Sequence, residues 1–162
     1  MVIGGFANLI WGEPRTTLDL DITTATEDER LVEAARVAGE IMVKDPAAFL
    51  ERTRVLPVRL PDGTRVDLIA ATLPYETDAV SRARTTTVAG TEIRVCTPED
   101  PIIHKIVSER TKDQQDVIGV CRRQGAKLDL AFLDPIVEGL ANDLGRPDIL
   151  RSYRDAKRAA GL

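Results

Sequence analysis

Ile3-Gly4-Gly5, followed after residues 6–18 by Asp19-Leu20-Asp21-Ile22, is the passage on which the reading of this chain turns. Leu18-Asp19-Leu20-Asp21-Ile22 alternates apolar and acidic residues with period two, the pattern of a strand. Side chains two apart on a strand leave the same face, so Asp19 and Asp21 point together while Leu18, Leu20 and Ile22 are predicted to pack on the core. Upstream, residues 6–11 read as a short apolar helix entered through the Gly4-Gly5 turn. Two glycines let the backbone turn tightly and approach a ligand closely. A helix that starts there aims free N–H groups at an anion such as a triphosphate.

Two carboxylates side by side repel unless something positive lies between them. Mg²⁺ is a hard cation that takes carboxylate and phosphate oxygens, so it is the natural candidate. A third acid stands in Val66-Asp67-Leu68. Three carboxylates can hold two metal ions about 3.5–4 Å apart, the arrangement used for in-line phosphoryl displacement.

Working outward, 54–60 and 64–71 read as two strands joined by Pro61-Asp62-Gly63, which is turn chemistry, so a β-hairpin is predicted. Thr26 with Glu29 three residues later predicts a capped helix from there to about residue 41. A short helix is expected over 75–84 and a strand over 92–96. Thr97-Pro98-Glu99-Asp100 starts a second helical region, with Thr97 as cap and Pro98 in the first position. Beyond it, helices are expected at 99–111, 113–123, 129–143 and 147–159. The expected fold class is therefore α/β (α+β), a small mixed sheet flanked by helices with a helical C-terminal half. It is expected as one domain over 1–162, sheet-bearing with the acids over 1–96 and helical over 97–162. A compact α/β domain rarely opens on its first glycine turn, so a helix preceding Gly4 is expected to be missing from this chain or lost to start-site choice.

Composition narrows the classes. The chain has 162 residues, 43% hydrophobic and 30% charged, enough for a core and a wetted surface. No apolar run reaches the roughly 20 residues of a membrane span, and residues 2–10 lack the basic start of a signal peptide. The two cysteines, Cys96 and Cys121, read as small core residues and not as a disulfide scaffold, so a cytoplasmic location is expected. A formal charge of −4 argues against a dedicated nucleic-acid scaffold, and 4% aromatics against a base-stacking platform.

The combined pattern resembles the DNA polymerase β-type nucleotidyltransferases. The string Ile3-Gly4-Gly5-Phe6-Ala7 … Gly12-Glu13-Pro14-Arg15-Thr16-Thr17-Leu18-Asp19-Leu20-Asp21 is similar to the bacterial AbiEii-like toxins and related minimal nucleotidyltransferases. So is Thr97-Pro98-Glu99-Asp100 … His104-Lys105 … Arg110 … Lys112-Asp113 … Asp116, and together the likeness spans about residues 3–120. Many members carry Ser where this chain has Gly5, which removes a hydroxyl and keeps the backbone contact. The resemblance implies a nucleotidyltransferase fold and transfer of a nucleoside monophosphate from an NTP, ATP included, to an acceptor, with release of pyrophosphate. Gly4 and Gly5 would cradle the triphosphate, and Asp19 and Asp21 would hold two Mg²⁺ ions. Asp67 would complete the metal site and help deprotonate the acceptor hydroxyl. Arg15 and Lys105 would meet the phosphates. RNA or protein acceptors, in the manner of a toxin, come first. An aminoglycoside- or lincosamide-type adenylyltransferase is the alternative, with Glu13, Glu76, Asp78, Glu99 and Asp100 as contributors to an acidic acceptor cleft. A non-catalytic nucleotide-binding module, or a partner in a toxin–antitoxin pair, is the reading from another class.

Other residues have plainer expectations. His104 is the only histidine, and Asp113 with Asp116 reads first as a helix-start device. Arg151, Arg154, Lys157 and Arg158 are expected on one face of the last helix, solvated or open to an acidic acceptor.

Overall fold

The computed structural model describes all residues 1–162. The chain folds as two compact units: Met1–Phe6 with Thr16–Cys96, and Ala7–Arg15 with Thr97–Leu162. Helix α1 (Gly4–Trp11) begins in the first and ends in the second, so the loop after it packs with the helical residues and not with the sheet.

The first unit holds a mixed sheet of order β1-β4-β3-β2, made of β1 (Asp19–Thr24), β2 (Glu40–Ile41), β3 (Val55–Arg59) and β4 (Arg65–Ala70). β3 and β4 form the predicted hairpin, while β1 joins β4 in parallel. One face of this sheet is the core. Leu56, Val58 and Ala70 pack on Leu31, Val32 and Ala35 of α2 (Asp28–Ala38) and on Leu50 of α3 (Pro46–Thr53). Strand alternation sends Arg65, Asp67 and Ile69 to the other face. Helix α4 (Pro74–Arg82) follows, and β5 (Arg84–Val88) pairs antiparallel with β6 (Thr91–Val95). The N-terminal residues tie the two sheets together. Val2 bridges Ile22 of β1 on one side and Val95 of β6 on the other.

Several local expectations change. Thr26 does not cap α2: Glu27 holds that position with no side-chain cap, and the helix stops at Ala38. Gly39 explains the stop. A Cβ there would lie 2.2 Å from the Arg59 carbonyl oxygen, so the backbones touch and the chain enters β2, paired to β3, in place of a further helical turn. Leu18 lies outside β1 and is 87% exposed, so it does not join the core. Helix α3 and strand β5 carried no expectation. The signal for α3 was Asp45-Pro46: the Asp45 carboxylate accepts from the Ala48 N–H and Pro46 fills the first turn.

The second unit packs α5 (Glu99–Ile106), α6 (Thr111–Gln124), α7 (Leu130–Asp143) and α8 (Pro147–Ala159), with a short 3-10 turn at Gly125–Lys127. Ile102, Ile106, Val117, Val120, Leu133, Val137 and Ile149 fill its interior. Helix α5 ends five residues earlier than predicted, because the Ser108 hydroxyl bonds the Asp113 carboxylate and pins a connection before the chain restarts at Thr111. Thr97 also behaves differently from a simple cap. Its N–H and hydroxyl both donate to Asp100, which reaches back over the helix start. No helix is long and apolar enough to cross a membrane.

Candidate functional site

In the first unit the three predicted acids fall on two neighbouring strands. The parallel register sets Asp21 directly opposite Asp67, and Asp19 opposite Arg65. Residues opposite one another share a face, so Asp19, Asp21 and Asp67 all leave the sheet on the side away from α2 and α3. The sequence reading of a shared face thus extends across the strand pair.

Gly4 meets this patch from α1. Its φ is +64°, and a Cβ built on it would fall 1.8 Å from Asp21 Oδ2. The backbone at the helix entrance therefore lies against the Asp21 carboxylate, a contact that glycine alone permits. The Ile3 N–H donates to the Asp21 carbonyl at 2.9 Å, which fixes the strand and the helix entrance to each other. Gly5 is buried in the first turn of α1.

The three carboxylates are not gathered round a common point; no group of three or more His, Cys, Asp or Glu side chains is close enough to hold a metal ion. Unneutralised acids repel and turn to the nearest donors. Asp67 accepts from Arg65, with Nε and Nη2 each 3.3 Å from its Oδ1. The Asp19 carboxylate accepts from the Thr17 hydroxyl at 3.1 Å. As a donor set, three carboxylates suit Mg²⁺ or Mn²⁺. The Arg65 guanidinium already stands where positive charge is called for.

Arg15 and Lys105, predicted to meet phosphates, are both bound to a carboxylate in the second unit. Arg15 grips Asp116 through Nε and Nη2, each at 2.9 Å. Lys105 Nζ lies 2.7 Å from Asp116 and 3.0 Å from Asp113. Arg110 Nε and Ser108 Oγ close the network on Asp113 at 2.6 and 2.7 Å. Burial pushes both carboxyls up. For Asp113, hydrogen bonds from Ser108 and Lys105 and the charges of Lys105 and Arg110 outweigh it. For Asp116, the bonds and charges of Arg15 and Lys105 do the same. Both acids end below the ordinary carboxylate range. Asp113 and Asp116 thus hold the α5–α6 connection together, more than a helix-start device would.

The acids expected in a cationic-acceptor cleft are largely engaged in backbone contacts. Glu76 accepts from the N–H groups of Thr72 and Leu73, Asp100 from Thr97, and Glu99 from the Asp129 N–H. Only Glu13 and Asp78 of that set stand exposed without such a bond to a main-chain N–H. On α8, Lys157 leaves the basic face. It bonds Asp134 at 3.0 Å and lies over the Tyr153 ring, while Arg151, Arg154 and Arg158 stay exposed. Lys157 is six residues from Arg151, which a 3.6-residue turn sends to another side of the helix. His104 is exposed on α5, and Cys96 and Cys121 are fully buried.

No family model and no curated protein matches this chain. A solved structure is similar to it. The crystal structure of an antigenic nucleotidyltransferase-like protein from Paracoccidioides brasiliensis aligns with a TM-score of 0.47 at 15% identity, over 94% of this chain and 83% of that one.

Proposed function

We propose that the chain is a Mg²⁺-dependent nucleotidyltransferase that moves a nucleoside monophosphate from an NTP to an acceptor hydroxyl. The observation that carries this reading is the β1–β4 register, with Asp21 facing Asp67, Asp19 on the same face and the Gly4 backbone against Asp21. Asp19, Asp21 and Asp67 are the residues that would hold the metal. When bound, it would supply charge neutralisation for the phosphates and the leaving group. The N–H groups opening α1 at Gly4 and Gly5 bind the triphosphate. Asp67 receives the acceptor's proton as the hydroxyl oxygen bonds the α-phosphorus. The bond from that phosphorus to the bridging oxygen breaks, and pyrophosphate leaves with the electron pair. RNA or protein acceptors are favoured over a cationic drug, since Glu76, Glu99 and Asp100 accept from backbone N–H groups and are not aimed at a ligand.

The test is incubation with each labelled NTP, Mg²⁺ and a cell extract, beside the Asp19→Asn/Asp21→Asn double variant. Label transfer and pyrophosphate release by the wild type, reduced at least about a hundredfold in the variant, is the expected result. No transfer with any NTP overturns the enzyme reading. A thermal shift with Mg²⁺-NTP that the double variant abolishes would then leave a nucleotide-binding module.

A further inference from the structure

Arg65 opens β4 two residues before Asp67, so both side chains leave the strand on one face. Its guanidinium donates to both Asp67 oxygens, all three contacts at 3.3 Å. These bonds are long, and the arginine side chain stays 54% exposed while the Asp67 side chain it covers is 16% exposed. Across the strand pair, Arg65 is the register partner of Asp19. A cationic side chain is thus rooted among the three acids and rests on the Asp67 oxygens by a pair of the weak, exchangeable kind.

We infer that Arg65 is the protein's own counter-ion for this patch: it occupies Asp67 in the absence of a divalent cation and competes with that cation for the Asp67 oxygens. The inference rests on the metal-binding part of the reading above. Competition follows from charge and position: the guanidinium lies against both Asp67 oxygens, and a guanidinium and a divalent ion held on one carboxylate repel each other. The length and exposure of Arg65 let it swing aside without disturbing the strand.

Mn²⁺ titration calorimetry on the full chain separates the outcomes, using Arg65→Gln, Asp67→Asn, their combination, and Asp19→Asn/Asp21→Asn. Arg65→Gln is expected to bind Mn²⁺ about two- to fivefold more tightly than wild type, and the gain is expected to vanish in the Asp67→Asn background. Unchanged or weaker binding by Arg65→Gln overturns the counter-ion role. So does a gain that persists without Asp67, because it then reflects net charge alone. In either case, wild-type binding that Asp19→Asn/Asp21→Asn abolishes leaves the metal-site reading standing. Absence of Mn²⁺ binding in the wild type and in Arg65→Gln removes both.

Discussion

Gly4 is constrained to glycine on two counts. It sits at φ +64° and leaves no room for a Cβ beside Asp21 Oδ2. Gly4→Ala therefore meets two costs, a left-handed backbone and a steric clash with a carboxylate. Urea unfolding is expected to show a loss of at least about 2 kcal/mol. Adding Asp21→Ala should recover the steric share and leave the backbone share, so the two changes will be non-additive. Equal losses in the single and double variants would mean that the carboxylate does not set the fit.

At the scale of elements, the α5–α6 connection rests on charge. Lys105 has a side chain 11% exposed between Asp113 and Asp116, whose side chains are 2% and 4% exposed. Lys105→Met would leave two buried acids short of a partner, at a cost of about 3–5 kcal/mol by equilibrium unfolding. The pH dependence has a definite sign. Both carboxyls sit below their unfolded value of about 3.9, so their stabilisation is present above that pH and is lost as pH falls through the lowered values. Unfolding midpoints for wild type and Asp116→Asn should differ at about pH 7 and converge as pH falls through the lowered value. A gap that stays constant over that range would assign the stabilisation to packing and not to the ion network.

For the molecule as a whole, the two thiols are probes already in place, one in each unit. Cys96 and Cys121 are fully buried, and burial pushes the Cys121 thiol up to about 11. A thiol that is buried and protonated reacts slowly. Alkylation near neutral pH is expected to be slow at both cysteines in the native protein and fast in denaturant, read by mass after quenching. Fast labelling of Cys121 under native conditions would show that the helical unit opens readily.

The local patterns were legible because they obey short-range rules. Strand alternation gave the Asp19–Asp21 pair, turn chemistry gave the β3–β4 hairpin, and Pro and Thr signals gave the start of α5 within a residue or two. What misled was local chemistry overridden by contact. Gly39 ends α2 because it touches β3, and Lys157 turns to Asp134, which only packing brings near. The sequence by itself determined a mixed α/β chain with two acids on one strand face and a third in a hairpin. Only the tertiary structure decided that β1 runs parallel beside β4, which sets Asp67 opposite Asp21 and roots Arg65 among the acids. A parallel pairing joins strands far apart in the chain, and no local spacing encodes its register.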